Sequence, residues 1–286
     1  IKLCSKKRPE CYLARSHESD VARVEGRTFT MGYTSAQRAV CRTAGGPNDW
    51  HTDRWKNHQV TLTDDYYLAI YRVTCLQSHY LKHGKSYTDD GSYHKWRSGY
   101  EYSRADYRGS TNEVNHARWP DDGYHVTPAS LFGKLRELTG NQFTIDLPTE
   151  AQWENAARNG TDTLWDVGGD AATITTEEFN AYVGRFVNFE TTEVGLKEAS
   201  TLGFYDLYGR ALELCLDYYN SAELPFGGTD PKGPTAPGKT GEGGQRVIRG
   251  GSYRYQFKDV GFVSGGYADW NTQDFGYRIC LHEVDK

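Results

Sequence analysis

The 286-residue chain is short of several things, and each shortage removes a class of protein. It has no run of about 18 apolar residues, so no transmembrane helix is expected. Its only dense basic block is Lys6-Lys7-Arg8, and 33 Lys and Arg stand against 38 Asp and Glu, a net charge of -5. Nucleic acid is therefore not an expected partner, because phosphate contacts need a basic surface. None of the six cysteines, Cys4, Cys11, Cys41, Cys75, Cys215 and Cys280, has CxxC spacing, which argues against a zinc site. Buried free thiols and at least one disulfide both stay open. No GxSxG occurs, so a hydrolase elbow is excluded. The chain has one Met and a hydrophobic fraction of only 37%.

Rings and glycine fill the gap. Aromatics make up 14% of the chain, with 21 Tyr and 7 Trp, and there are 31 Gly. A core built this way relies on aromatic packing and many tight turns. The chain begins at Ile1 rather than Met, which is read as a processed or trimmed form and leaves the removal of a signal or anchor open.

Residues 1–20 are polar and read as a tail or arm, and residues 21–286 as a single domain. "VARVEGRTFTMG" alternates like a strand and turns at Gly32. "HQVTLTDDYYLAIYRVT" carries two strand-like runs split by Asp64-Asp65, and a short helix is expected from Thr74 to Gly84. Residues 85–123 show no apolar period and read as an ordered insertion, with disorder as the alternative. "VTPASLFGKLRELTG" predicts a helix with Thr127 as N-cap and Pro128 in its first turn. Leu131, Leu135 and Leu138 form its apolar stripe, and Gly140 is its stop. "LPTEAQWENAARNG" predicts a second helix, with a Thr149–Gln152 capping box, a Glu154–Arg158 pair and an Asn159-Gly160 end. Two helices among many short strands indicate an α+β, loop-rich fold.

Taken in order, "GRTFTMG", "HQVTLTDDYYLAIYRVT", "HVTPASLFGKLRELTGNQFTIDLPTEAQWENAARNG", "GFYDLYGRALELCLDYY", "GTDPKGP" and "RVIRGGSY…FGYRI" resemble the formylglycine-generating enzyme (sulfatase-modifying factor) family. The resemblance runs from about Val21 to Leu281 and implies a C-type lectin-like fold in that family's elaboration. It also implies a test of activity. The family's enzymes use a pair of cysteines, one just after the "GGSY" strand and one five residues later, to bind a soft metal and engage a substrate thiol. Tyr255 and Val260 occupy those positions, and neither can do so. A second branch makes sulfur–carbon bonds on an iron held by three histidines in a separate helical domain. His79 and His83 lie four residues apart, but no third ligand is evident and a solvated surface pair is the better reading.

Other candidate groups have structural readings. Ser252 follows Gly250-Gly251 and is expected to be a core-strand serine rather than a nucleophile. Glu150 and Glu154 are explained by the helix N-terminal dipole. Glu213 and Asp217 lie in a strand-like segment leading toward the binding face, with structural hydrogen bonding as their expected role. Several members of the family bind calcium, and Asn188 is the nearest match, so metal binding stays undecided. Asn159 opens a glycosylation sequon that a helix C-cap explains.

The C-terminal segment carries the functional expectation. From Ser252 to Ile279, eight of 28 residues are aromatic, about twice the chain average, and most of the rest are Gly or polar. Tyr and Trp give large contact area at low entropy cost, while Ser, Gly and Asn adapt, so this is the composition of a binding surface. Phe262 and Phe275 are the rings expected in the core. The placement also resembles variable proteins of this fold that are rewritten by diversity-generating retroelements, in a segment here spanning about 252–277.

The reading is a non-catalytic ligand-binding protein without a cofactor. Its ligand face comprises Tyr253, Arg254, Tyr255, Phe257, Lys258, Asp259, Tyr267, Asp269, Trp270, Asn271 and Asp274. Aromatic anchors would supply most of the energy. The expected partner is a protein or other macromolecule on a broad surface. The expected location is the cell surface or the medium, with membrane contact only through a removed lipid anchor. The alternative is a metal-dependent oxidoreductase of the same superfamily with an altered active site.

Overall fold

The structure is a computed structural model that describes residues 21–35, 56–73, 126, 128, 131–163, 194–195, 197–209, 212–220, 226–235, 246–250, 265–268 and 275–284. Eleven strands and two long helices are described: β1 (Val21–Val24), β2 (Thr28–Met31), β3 (His58–Thr61), β4 (Tyr66–Ala69), α1 (Leu131–Leu138), β5 (Phe143–Asp146), α2 (Glu150–Arg158), β6 (Leu212–Tyr218), β7 (Gly228–Thr229), β8 (Arg246–Arg249), β9 (Gly265–Ala268), β10 (Phe275–Gly276) and β11 (Cys280–Glu283). They form three sheets, in the orders β1-β4-β11-β5, β10-β6-β8-β9 and β2-β3-β7. No described helix is long and apolar enough to cross a membrane.

The stretch from Val21 to Gly32, expected as one strand, is two. β1 pairs antiparallel with β4, whereas β2 pairs with β3 in another sheet. At the break, Glu25–Arg27, glycine is sterically required, because a Cβ on Gly26 would lie 2.6 Å from the carbonyl oxygen of Asp64. Only a residue without a side chain lets the two turns touch.

α2 follows its sequence signature closely. The Thr149 hydroxyl accepts from the Gln152 N–H at 3.2 Å, and the Gln152 side chain accepts from the Thr149 N–H at 2.9 Å. Asn159 closes the helix in the left-handed region at φ 47°, and its side chain donates to Thr201. α1 departs from expectation. It begins at Leu131, with Pro128 in a preceding turn, and the expected N-cap Thr127 lies outside the described residues. Phe132 and Leu135 face the core, but Leu138 is 69% exposed. As the last helical residue it projects past the apolar layer that Phe132 and Leu135 reach. The helix expected from Thr74 to Gly84 and the 85–123 insertion also lie outside the described residues.

β6, β8 and the 277–281 stretch place one face on each of two cores. Side chains alternate along a strand. Leu212, Leu214, Leu216, Ile248, Tyr277, Ile279 and Leu281 enter an aliphatic-rich cluster with Phe132, Leu135 and Ile145. The alternate residues face the other way, where Trp153, Ala156 and Ala157 of α2 pack among Tyr66, Tyr208 and Phe204. Those alternate positions hold Glu213, Asp217, Arg249 and Arg278, all buried. The alternation in "LELCLDY" and "YRICL" resembles that of half-solvated strands, yet the polar face meets α2.

An ionic frame beneath the candidate ligand face

Ten charged residues are buried among the described positions: Arg72, Arg158, Arg246, Arg249, Arg278, Glu150, Glu154, Asp206, Glu213 and Asp217. Five are cationic and five anionic, so the interior is neutral overall. Burying an unpaired ion costs several kcal/mol, so the pairing decides whether such a core is tolerable.

Glu213, 1% exposed, is saturated. Its Oε1 accepts from Arg72 Nε at 2.8 Å and Arg278 Nη2 at 2.8 Å. Its Oε2 accepts from Trp153 Nε1 at 2.8 Å and Arg278 Nε at 3.0 Å. Arg278 also donates to the carbonyls of Ala69 and Tyr205, and Arg72 to that of Gly209. Burial pushes the Glu213 carboxyl up, but Arg278 and Arg72 with the hydrogen bonds from Arg278 and Trp153 outweigh it and hold it below the usual carboxylate range.

Glu154 forms the second junction. Its Oε1 accepts from the Gly32 N–H at 2.8 Å and from Arg158 Nε at 2.8 Å, and its Oε2 accepts from Arg249. Burial opposes its charge, yet Arg249 and Arg158 keep this carboxyl below its ordinary value too. The helix dipole, expected to account for Glu150 and Glu154, is not what holds Glu154, which sits in the second turn with two guanidiniums. Glu150 contributes a weaker contact to Arg249 at 3.7 Å, and Asp217 accepts the first backbone N–H of α2, from Glu150, at 2.7 Å. Glu213 and Asp217 are thus interior braces and not part of an exposed face.

The two junctions meet at Trp153, which donates to Glu213 and lies 5.6 Å below the Arg249 guanidinium. Gly250 comes next in the chain, with φ 90°. A Cβ there would fall 2.6 Å from the Leu207 oxygen and 3.2 Å from Trp153, so no larger residue fits. Arg249 and Arg278 therefore pin the two stems of the C-terminal segment.

Between them the chain returns as β9, the edge strand paired antiparallel to β8 (Arg246 opposite Ala268, Arg249 opposite Gly265). It then supplies the opposite edge as β10, parallel to β6. Both edges of this sheet come from the segment, and its centre comes from the frame.

Of the expected ligand residues, Tyr267 lies on β9 opposite Val247. Tyr253, Arg254, Tyr255, Phe257, Lys258, Asp259, Asp269, Trp270, Asn271 and Asp274 lie outside the described residues, as do Ser252, Val260, Phe262, His79, His83 and Asn188. Tyr277, counted in the aromatic cluster, belongs to the core. It is buried and meets Phe132 edge-on at 6.2 Å. The backbone of Phe275 pairs with Leu212.

Cys215 and Cys280 are free and buried, and burial pushes both thiols above their usual value, with Asp217 and Glu150 adding to it at Cys215 and Asp146 at Cys280. Neither is a thiolate at neutral pH. Among the described residues no three His, Cys, Asp or Glu are grouped to hold a metal. Sequence reasoning missed the arginines. Their signal was present, as single Arg residues set inside the apolar runs "IYRV", "RVIR" and "YRIC".

This lectin-like arrangement of short sheets around a capped helix defines a class, and comparison with known proteins places it. Residues 13–282 match the sulfatase-modifying factor enzyme 1-like domain, and the chain belongs to that family. It is 31% identical over 211 residues to the formylglycine-generating enzyme of Streptomyces coelicolor, covering 66% of this chain and 59% of that protein. The chain thus spans somewhat more than half of that relative's length. In structure it is similar to Treponema denticola variable protein 1 (TM-score 0.59, 19% identity, 91% of this chain and 94% of that one). It is also similar to PvdO from Pseudomonas aeruginosa (TM-score 0.60, 16% identity, 92% and 94%). The fold is the family's α+β elaboration of the C-type lectin fold.

Proposed function

We propose that this protein is a non-catalytic, receptor-like binder whose ligand face is the segment 252–277, diversified by a retroelement. The observation that carries the reading is the attachment of that segment. It is flanked by Arg249 and Arg278, and the carboxylates that hold both arginines, Glu154 and Glu213, lie outside it, while its own β9 and β10 are the sheet's edges and its last residue, Tyr277, is core. A segment whose supports lie elsewhere can change composition without disturbing them. The likeness to a variable protein supports the same reading.

The ligand is a protein or another macromolecule. Tyr253, Tyr255, Phe257, Tyr267 and Trp270 act as anchors. Arg254, Lys258, Asp259, Asp269, Asn271 and Asp274 set charge and hydrogen-bond preference. The protein acts at the cell surface or in the medium, held by a lipid where it is anchored.

Deep sequencing of the 3′ end of the gene across a cell population tests the proposal. Substitutions confined to codons 252–277 at adenine positions are expected. A uniform segment would remove the diversification.

The enzyme alternative rests on identity to a formylglycine-generating enzyme. It needs a reactive thiol pair, whereas Tyr255 and Val260 occupy the matching positions. Incubation with copper and a cysteine-containing peptide discriminates, since turnover to an aldehyde would defeat the binder reading.

A further inference from the structure

Gln152 makes two contacts at the start of α2. Its Oε1 accepts from the Thr149 N–H at 2.9 Å, which closes the capping box, and its Nε2 lies 2.9 Å from His282 Nε2 on β11. One arrangement of protons satisfies both. With the oxygen committed to a backbone N–H, the amide nitrogen faces His282, and an amide NH₂ can only donate. His282 Nε2 is therefore the acceptor, so the ring is neutral and its proton sits on Nδ1.

A proton on Nε2 reverses that requirement. An imidazolium offers donors only, so its Nε2–H would meet the Gln152 NH₂. Cys280 Sγ, 3.7 Å from Nε2, is a thiol that burial keeps protonated, and it is too weak an acceptor to serve instead. Turning the Gln152 amide over removes the clash. Oε1 then accepts from the imidazolium, and the Thr149 N–H loses its partner. A hydrogen bond from a charged donor is roughly twice as strong as a neutral one, so the imidazolium wins the oxygen.

The surroundings set where this happens. Burial opposes the charge and holds His282 below the ordinary imidazole value, against Asp64 from the turn after β3 and Asp230 from the turn after β7. Lys232, Arg136 and Asp146 line the same cleft as His282. The Tyr66 ring of β4 lies 6.0 Å away, and the neighbouring Glu283 accepts from the Tyr67 hydroxyl at 3.2 Å.

We propose that His282 is a proton-operated switch on the N-terminus of α2: neutral, it locks the Gln152 amide into the capping box, and protonated, it draws the Gln152 oxygen away and frees the Thr149 N–H. The change is local. The Thr149 hydroxyl still accepts from the Gln152 N–H, and Asp217 still accepts from that of Glu150. Thr149, Gln152 and His282 all line the cleft between α2, β5, β11 and the turns after β3 and β7, so acid alters the wall of that cleft and leaves the ionic frame intact.

The test is nitrogen-15 NMR of the labelled protein from about pH 8 to about pH 5, either side of the ordinary imidazole value. At the upper end the His282 proton is expected on Nδ1. As His282 titrates, the exchange protection of the Thr149 amide should fall about fivefold, the worth of one neutral hydrogen bond. The Asn159 amide, bonded to the Asn155 carbonyl at the far end of α2, should not follow. Gln152→Glu keeps the capping box and offers the imidazolium a second oxygen, so it should raise the His282 midpoint and hold Thr149 protected throughout. His282→Gln supplies an acceptor at every pH and should make Thr149 insensitive to acid. A proton on Nε2 at pH 8, a Thr149 amide that ignores the His282 titration, or the same loss in His282→Gln would overturn the proposal.

Discussion

Glu154 and Glu213 lie in the interior with each oxygen engaged, while Asp64 and Asp230 stand in exposed turns without a basic partner among the described residues. All four are carboxylates in a chain of net charge -5. The first two belong to networks that join distant parts of the chain, and neither carboxylate has an oxygen left over for a ligand. The second pair is held in place and left open. The lesson is that in this fold a buried carboxylate with every oxygen paired marks construction rather than recognition.

The contrast can be broken from its strong side. Glu213→Ala would strand Arg72 and Arg278 in the interior, and a loss of about 3–5 kcal/mol is expected in urea unfolding. Trp153→Phe keeps the ring but removes the Nε1 donor to Glu213. It should cost about 1–3 kcal/mol, the penalty of leaving one charged acceptor short. Thr149→Ala removes the cap of α2 and should cost about 1 kcal/mol. At the weak end, Asp64→Asn, in an exposed turn, should leave the unfolding midpoint unmoved.

Acid sharpens the same comparison. Both interior glutamates titrate below the usual range in the folded protein, and the unfolded chain binds their protons first. Their stabilisation is complete above about pH 4.5 and is lost as pH falls through the folded values. Glu213→Gln should flatten the acid limb of a stability–pH curve. His282 adds a milder effect at higher pH. Burial lowers it, with Asp64 and Asp230 opposing, so stability declines as pH drops below about 6.5. His282→Gln should remove that decline.

Local chemistry made much of the scaffold legible. The Thr149–Gln152 box, the Asn159 cap, the Glu154–Arg158 pair and the Asp64-Asp65 turn depend on residues within a few positions of one another. The ionic frame was not legible, since Glu213 meets Arg72 and Arg278 at separations of 141 and 65 residues. Alternation in β6 correctly indicated a strand but not that its polar face was covered. Leu138 failed for a related reason, because helical spacing says which side a residue is on and not where the core ends. A cleft lined by Asp64, Arg136, Asp146, Asp230, Lys232 and His282 gathers distant stretches of the chain, each unremarkable on its own.

The most direct measurement is the urea midpoint of a protein carrying serine at Tyr253, Tyr255, Phe257 and Trp270 together, compared with Glu213→Ala. A replaceable ligand face predicts a midpoint within about 1 kcal/mol of the parent, whereas core ring truncations cost about 3–5 kcal/mol each. If the fourfold variant loses as much stability as Glu213→Ala, those rings are structural and the segment is not a tolerant binding surface.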